Sequence, residues 1–467
     1  MELMDGTAIE VRDTLAKGHV RCIDLAEHWI ARTEAAEALN CYVQFDAEGL
    51  RRQAQAADAK LAKGERLPLL GVPIALKDNI EAVGFACGAG TRALGALTSG
   101  QDAELVARLR QAGALIPGKL GMHELAFGIT SNNACTGAIH NPWDASRIPG
   151  GSSGGSGAAV AARLVPASIG TDTGGSIRIP AALCGVAGFR PSTGRVSGQG
   201  LCPIATTRDT AGPIARSVAD LALLDSVLTG DWEAQTPAPL QGLKIGIPQD
   251  IFWDDLDAGV EKTCNAALQL LRQSGVQFVP VALPGIAKLN AEIAFALTSF
   301  EFVSDLGQYL RKHPAKLSLA ELIGQVLSPD VAAIVVPLLG TLKPSAEAYQ
   351  AALQSRTQLQ AMYGDVFAAN GVQALVFPTT PSTAPRIGDD LVFDHNGHLS
   401  PTFLTFTRNT GPGSNAGIPG LSLPIGLSQG LPVGLALDGP MHSDRRLLAL
   451  GQALEAVLPR MAAPGLF

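Results

Sequence analysis

The chain has 467 residues, 46% of them hydrophobic and 16% charged, with a formal net charge of −7. That balance supplies a large buried core and excludes a disordered chain or a solvated fibre. No Lys/Arg run is dense enough to track phosphates, so nucleic acid is not an expected partner.

The amino-terminal stretch MELMDGTAIEVRD is acidic and lacks the apolar region of a signal peptide. No run reaches the ~18 continuous apolar residues of a membrane span, and VAAIVVPLLGTL at 331–342 is interrupted by Pro337. Cys22, Cys41, Cys87, Cys135, Cys184, Cys202 and Cys264 include no C-x-x-C pair, which fits reduced thiols better than a disulfide frame or a zinc site. The expectation is a cytoplasmic protein with no metal, no cofactor and no membrane contact.

Apolar positions recur at helical spacing over 7–36 and 46–63. LLGVPIALKDNI (69–80) then changes character, and its short run VPIAL predicts a buried strand with Lys77 at its end. DAELVARLRQAG (102–113) predicts a helix closed by Gly113, with ALIPGKL as the strand after it. Residues 128–157 read as a long Gly/Asn/Ser/Pro loop, a length that points to function inside a compact domain. AAVAARL (158–164) reads as a helix, VPASIGT as a strand and SVADLALLDSVL (217–228) as a helix.

Beyond the polar stretch DWEAQTPAPLQG (231–242), LKIGIP, VQFVPV and LVFPTTP read as strands, with helices over 258–273 and much of 286–370. Strands alternating with helices predict an α/β fold, a sheet covered by helices on both faces. Periodicity leaves open whether 231–242 is a boundary; the reading adopted is one domain over 1–467, with 231–242 as an excursion.

Glycine-rich stretches offer three competing sites. GALIPGKL (113–120) approaches the phosphate-loop pattern, but Leu120 stands where that pattern needs a hydroxyl and the glycines straddle a strand, so a tight turn is the better reading. GGSSG (150–154) fits the G-x-S-x-G elbow of α/β-hydrolases, yet the loop NPWDASRIP precedes it where an apolar strand is required. His123 and His140 come before that serine, whereas the hydrolase order puts the histidine last; His395, His398 and His442 stay open on order alone. The third reading joins GGSSGGSG (150–157) and GTDTGGSIR (170–178) to Lys77, because one small helix and one short strand between the loops can bring both together. Consecutive glycines let amide N–H groups converge on an oxyanion.

GVPIALKDNI and RIPGGSSGGSGAAVAARLVPASIGTDTGGSIRIPAALCGVAGFRPSTGRVS resemble the amidase signature family over about 65–220. NTGPGSNAGIPGLSLPIGLSQGLPVGLALDGP (409–440) resembles its closing segment, so the likeness covers effectively the whole chain. It implies a large mixed β-sheet under helices, with helices at 1–64, a core at 65–220 and a remainder at 243–467 whose segment 286–400 shapes the substrate cleft. It also implies a Ser–cis-Ser–Lys triad: Ser176 as nucleophile, Ser152 on a cis peptide as bridge and Lys77 as base. Backbone N–H groups of Thr173, Gly174, Gly175 and Ser176 would then hold the oxyanion. Asp172 and Arg178 are expected to fix the nucleophile loop, Ser153 to brace the cis-serine loop, and Thr130 or Ser131 to border the acyl pocket. Met122, His123 and Phe127 are expected as wall.

An exposed lysine titrates near ~10.4 and is no base at neutral pH. Burial penalises its charged form and lowers that value by several units. A bridging serine both donates and accepts, so it can pass a proton between groups that never touch.

Within the family, IRIPAALCG and RNTGPGSNAGIPGLSLPIGL look closer to indoleacetamide- and mandelamide-type hydrolases than to the glutamyl-tRNA amidotransferase A subunit, which more often carries Gln where Ile179 stands. The implied activity is hydrolysis of small aryl or arylalkyl amides, with esters and carbamates (urethanes) as side substrates, by a monomer or homodimer. The alternatives are a glutaminase resembling the amidotransferase subunit, and a urethanase or aryl acylamidase.

Overall fold

The computed structural model describes residues 5–233 and 236–465. The first four residues of the acidic amino terminus, Ala234 and Gln235 within the polar excursion, and the last two residues lie outside that range. An eleven-stranded mixed sheet runs through the centre. In spatial order its strands are Tyr42–Phe45, Gly118–Leu120, Ile74–Lys77, Ala167–Asp172, Thr210–Ala215, Ala187–Arg190, Gly420–Ser428, Leu431–Asp438, Leu375–Pro378, Lys244–Pro248 and Gln277–Val281. Ile74–Lys77 is parallel to both its neighbours, whereas the five strands from Thr210–Ala215 to Leu375–Pro378 pair antiparallel in succession.

The apolar runs become strands buried on both faces: every residue of Ile74–Lys77 and of Ala167–Asp172 is buried. Helices cover the sheet, and their ends follow local chemistry. The Thr7 hydroxyl and the Glu10 carboxylate form a reciprocal capping box on Ala8–Ala16. Ser217 accepts from the Asp220 N–H at the start of Val218–Thr229, and Gly230 ends that helix in the left-handed region. All seven cysteines are free thiols. Among the described residues no helix is long and apolar enough to cross a membrane.

Two departures from the sequence reading bear on the site. The helix expected over 158–164 runs Gly154–Ala161, so part of the supposed glycine loop is its first turn. Close packing explains those glycines: a Cβ on Gly155 would lie 2.6 Å from the carbonyl oxygens of Cys41 and Gly121, and one on Gly157 2.9 Å from that of Pro180. The hairpin Gly420–Ser428/Leu431–Asp438 is a second departure, because Pro424 and Gly426 interrupt the alternation of a strand; the register shifts between those two residues, as at a bulge.

Candidate active site

Parallel pairing places Leu76 opposite Ile169, so Lys77 emerges beside the end of Ala167–Asp172. Its amine donates to Thr171 Oγ1 at 2.8 Å and lies 2.8 Å from Ser152 Oγ. Asn79 Nδ2 donates to the same Thr171 oxygen at 3.1 Å. Lys77 is fully buried, and no carboxylate among the described residues forms an ion pair with it. Its sequence neighbour Asp78 accepts from the Gly90 N–H at 2.9 Å and lies 3.9 Å from Lys119 Nζ. Burial therefore dominates and pushes the Lys77 amine down to about 7, against the distant pull of Asp172 and Asp209. Lys119, the lysine of the near phosphate-loop motif, donates to the carbonyls of Asp78, Ile80 and Ala86 and so holds that turn.

The Gly151–Ser152 peptide is cis. The Ser152 carbonyl accepts from the His123 N–H at 3.1 Å, and the Ser153 N–H donates to the Ser176 carbonyl at 3.3 Å, joining the two serine loops through their backbones. Ser153 Oγ donates to the Thr171 carbonyl at 3.2 Å, which ties the cis-serine loop to the strand beside Lys77.

Asp172 organises the turn that carries Ser176. Its carboxylate accepts from the Gly175 N–H at 2.7 Å, the Ile177 N–H at 3.3 Å, Arg178 Nε at 3.1 Å and Arg190 Nη1 at 3.1 Å. Burial opposes the charge, but Arg178 and Arg190 prevail and hold this carboxyl well below the usual carboxylate range. The four oxyanion donors expected from the sequence are thus not equivalent. Gly175 directs its N–H to Asp172, leaving Thr173, Gly174 and Ser176, whose amides find no protein acceptor among the described residues. Thr410 Oγ1 donates to the Gly174 carbonyl at 2.7 Å, and Thr173 Oγ1 to Asp209.

Ser176, Thr173 and Gly174 line a cavity of about 630 Å³. Helix Ile286–Glu301 presents Ala287, Asn290, Ala291, Ala294, Phe295 and Thr298 to it, a stripe at helical spacing. Phe127, Ile129, Ile204, Leu338, Phe403 and Leu404 make most of the remaining wall apolar. From the segment 286–400 only residues between Ala287 and Leu338 reach the cavity; beside the expected Phe127, the residues Ala126, Gly128, Ile129, Ile204, Arg208, Ile251 and those of 403–411 complete it.

Thr130 and Ser131 do not line it. Thr130 Oγ1 donates to Asp390 Oδ1 at 2.6 Å and Ser131 Oγ to the Gly150 carbonyl at 2.9 Å, so both brace loops from behind, and Gly128 and Ile129 take the bordering place. Met122 and His123 are likewise set back; His123 Nδ1 accepts from the Ser131 N–H at 3.1 Å, and Nε2 lies 2.9 Å from Asp330. Among the expected wall residues Phe127 alone touches the cavity. Thr171 and Asn79 join the site through the Thr171 hydroxyl, which the sequence pattern does not distinguish from an ordinary strand residue. Arg190, Arg208 and Thr410 gave no local signal, since Asp172, Thr298 and Gly174, which they meet, are distant in sequence.

A family profile described as Amidase matches residues 24–448. An indoleacetamide hydrolase of Agrobacterium vitis is 46% identical over 449 residues, 96% of either chain. A mandelamide hydrolase of Pseudomonas putida is 41% identical over 460 residues, covering 94% of this chain and 89% of that one. The crystal structure of a native peptide amidase from Stenotrophomonas maltophilia superposes with a TM-score of 0.86 at 31% identity, covering 98% of both chains.

Proposed function

The chain belongs to the amidase family, and on that premise we propose that it hydrolyses small aryl or arylalkyl amides through an acyl-enzyme on Ser176, with Ser152 and Lys77 as its proton relay. One observation carries this reading: a fully buried amine with no carboxylate ion-paired to it among the described residues, pushed down to about 7, lies 2.8 Å from the hydroxyl of Ser152. A lysine in that state is half neutral near pH 7 and can accept a proton.

Ser176 Oγ attacks the amide carbonyl while its proton passes to Ser152 Oγ and the Ser152 proton to Lys77 Nζ. Negative charge gathers on the carbonyl oxygen, where the free N–H groups of Thr173, Gly174 and Ser176 receive it; one such donor is worth ~3–4 kcal/mol of barrier. Collapse breaks the C–N bond, and Ser152 returns a proton to the leaving nitrogen as Lys77 replenishes it. Water then takes the place of Ser176 and the same relay runs again. An acyl-enzyme of this kind also accepts esters and carbamates, since both present a carbonyl with a displaceable group. The aromatic and aliphatic wall suits an aryl or arylalkyl acyl part, in line with the names of the indoleacetamide and mandelamide relatives.

The test is labelling and turnover by the purified chain alone. A fluorophosphonate should modify Ser176, Ser176→Ala should remain unlabelled, and indole-3-acetamide and phenylacetamide should be hydrolysed without partner polypeptides. Turnover confined to glutamine in the presence of added subunits would replace this reading with the amidotransferase one; label on Ser152 would overturn the assignment of the nucleophile.

A further inference from the structure

Among the described residues the cavity beside Ser176 is lined by no Asp or Glu, yet the guanidinium-bearing Arg208 is part of its wall. Arg208 is 5% exposed. Nη1 donates to Thr298 Oγ1 at 2.6 Å. Nε is buried without an acceptor. Nη2 has no protein acceptor among the described residues, and it lies 3.4 Å from the point a Cβ on Gly174 would occupy. No carboxylate of the described chain forms an ion pair with Arg208. The adjacent Asp209 is committed to Thr173 Oγ1 and to the N–H groups of Ile204 and Ala205.

Buried charges in proteins are ordinarily paired, and an unmet donor carries the full cost of its desolvation. Here burial, reinforced by Arg190 and Arg356 and only partly opposed by Asp209 and Asp172, lowers the guanidinium to about 9, which leaves it charged at neutral pH. Among the described residues Nη1 alone is satisfied, by Thr298 Oγ1 and the Ala294 carbonyl, and no carboxylate is ion-paired with it. Its free edge faces the same space as the Gly174 and Ser176 amides that would hold the reacting carbonyl. The other cavity guanidinium, Arg408, is spoken for by the Asp254 carbonyl and by Asn409 Oδ1.

We propose that Arg208 is a specificity-determining residue that recognises an acceptor oxygen, such as a hydroxyl, keto or carboxylate oxygen, on the acyl part of the substrate close to the scissile carbonyl. This rests on the amidase reading above and narrows its substrate class: the apolar walls hold the aryl group and Arg208 selects amides carrying that oxygen. A site built to hydrogen-bond a substrate oxygen rejects the analogue lacking it, because its own polar group is then left unpaired.

The experiment compares kcat/KM for phenylacetamide, 2-hydroxy-2-phenylacetamide, 2-oxo-2-phenylacetamide and phenylmalonamic acid, each divided by its alkaline hydrolysis rate. In the wild type at least one oxygen-bearing amide should exceed phenylacetamide by about 10- to 100-fold, the range of a charge-assisted hydrogen bond. In Arg208→Met that preference should fall to within about threefold, and Arg208→Lys should restore part of it. A variant that fails to fold leaves a measurement on the wild type alone: the acid products with the extra oxygen should inhibit at least about tenfold more tightly than phenylacetate. Equal processing of all four amides by the wild type, or a preference unchanged in a folded Arg208→Met, would overturn the assignment while leaving the amidase reading standing. A wild type that turns over no amide and takes no fluorophosphonate at Ser176 would remove that reading, and this one with it.

Discussion

Thr410 Oγ1 reaches across 236 positions of sequence to donate to the Gly174 carbonyl at 2.7 Å. The other end of the same peptide unit, the Gly175 N–H, is held by Asp172 Oδ1 at 2.7 Å. A peptide gripped at both ends cannot rotate, so the neighbouring amides of Gly174 and Ser176 keep one direction. Thr410→Val keeps the volume and removes the donor. It should lower kcat by about 10- to 100-fold with little change in KM, somewhat less than the loss of an oxyanion donor itself. Thr410→Ser should recover most of the rate. A Val variant with normal kcat would show that the Asp172 contact alone sets the turn.

Lys77 predicts a pH profile with a definite sign. Burial takes its amine from an ordinary lysine value down to about 7, and the neutral form is the one that accepts a proton. The kcat/KM for amides should rise about tenfold per unit below that value and level off above it. Stability follows from the same shift. Between about pH 7 and ~10.4 the unfolded chain holds a proton at this site that the native state has lost, so the contribution of Lys77 to stability rises with pH through that window and is least favourable below it. Lys77→Met should therefore gain most over the wild type in urea titrations below pH 7, with the advantage shrinking toward pH 10, while amide turnover is abolished. Activated esters, whose leaving groups need no proton, should lose far less.

The pair Asp172 and Arg178 behaves oppositely, because burial there is overcome by charge. Asp172 is held below the usual carboxylate range by Arg178 and Arg190, so its contribution to stability is present above about pH 4 and is lost as the pH falls toward its lowered native value. Asp172→Asn leaves two buried guanidinium groups without their common counter-ion. The expected cost is about 3–5 kcal/mol by urea denaturation at pH 7, together with a shallower loss of stability on acidification than the wild type shows. An isosteric variant of unchanged stability would mean that Asp438, 3.7 Å from Arg178, takes over the charge.

Legibility in the sequence depended on whether a residue acts through its neighbours or across the fold. Lys77 was readable because VPIAL makes a strand buried on both faces and the lysine ends it. The serine loops were readable because their glycines are contiguous. The site's second layer was not: Arg190 meets Asp172 from another strand, and Thr410 comes from the carboxyl-terminal part of the chain. The cavity wall was legible in part: its face on Ile286–Glu301 falls in the segment expected to shape the cleft, whereas Ile204, Arg208, Ile251 and 403–411 reach the cavity from segments that only the fold brings beside it. Strands such as Gly420–Ser428 were obscured by Pro and Gly, residues that mark bulges in a sheet as readily as they mark loops.

Gly155 shows the same limit from the packing side. It sat in a stretch read as loop, yet it lies in the first turn of Gly154–Ala161 and its N–H donates to the Gly121 carbonyl at 3.0 Å. A Cβ there would meet the Cys41 and Gly121 carbonyl oxygens at 2.6 Å and the Gly121 nitrogen at 2.8 Å, all backbone atoms that no rotamer change can move aside. Gly155→Ala must push the helix away from the strand region behind it, and with it the cis-serine loop immediately before. The expected cost is about 1–3 kcal/mol by overpacking, against the usual gain of alanine over glycine in a helix. Since Ser152 moves with the helix, the amide rate should fall as well. Gly198→Ala, where a Cβ would meet nothing within 4 Å, provides the control and should stay within about 0.5 kcal/mol of the wild type. If Gly155→Ala matched that control in both stability and rate, the tight approach of helix to strand would not be what fixes Ser152 beside Lys77.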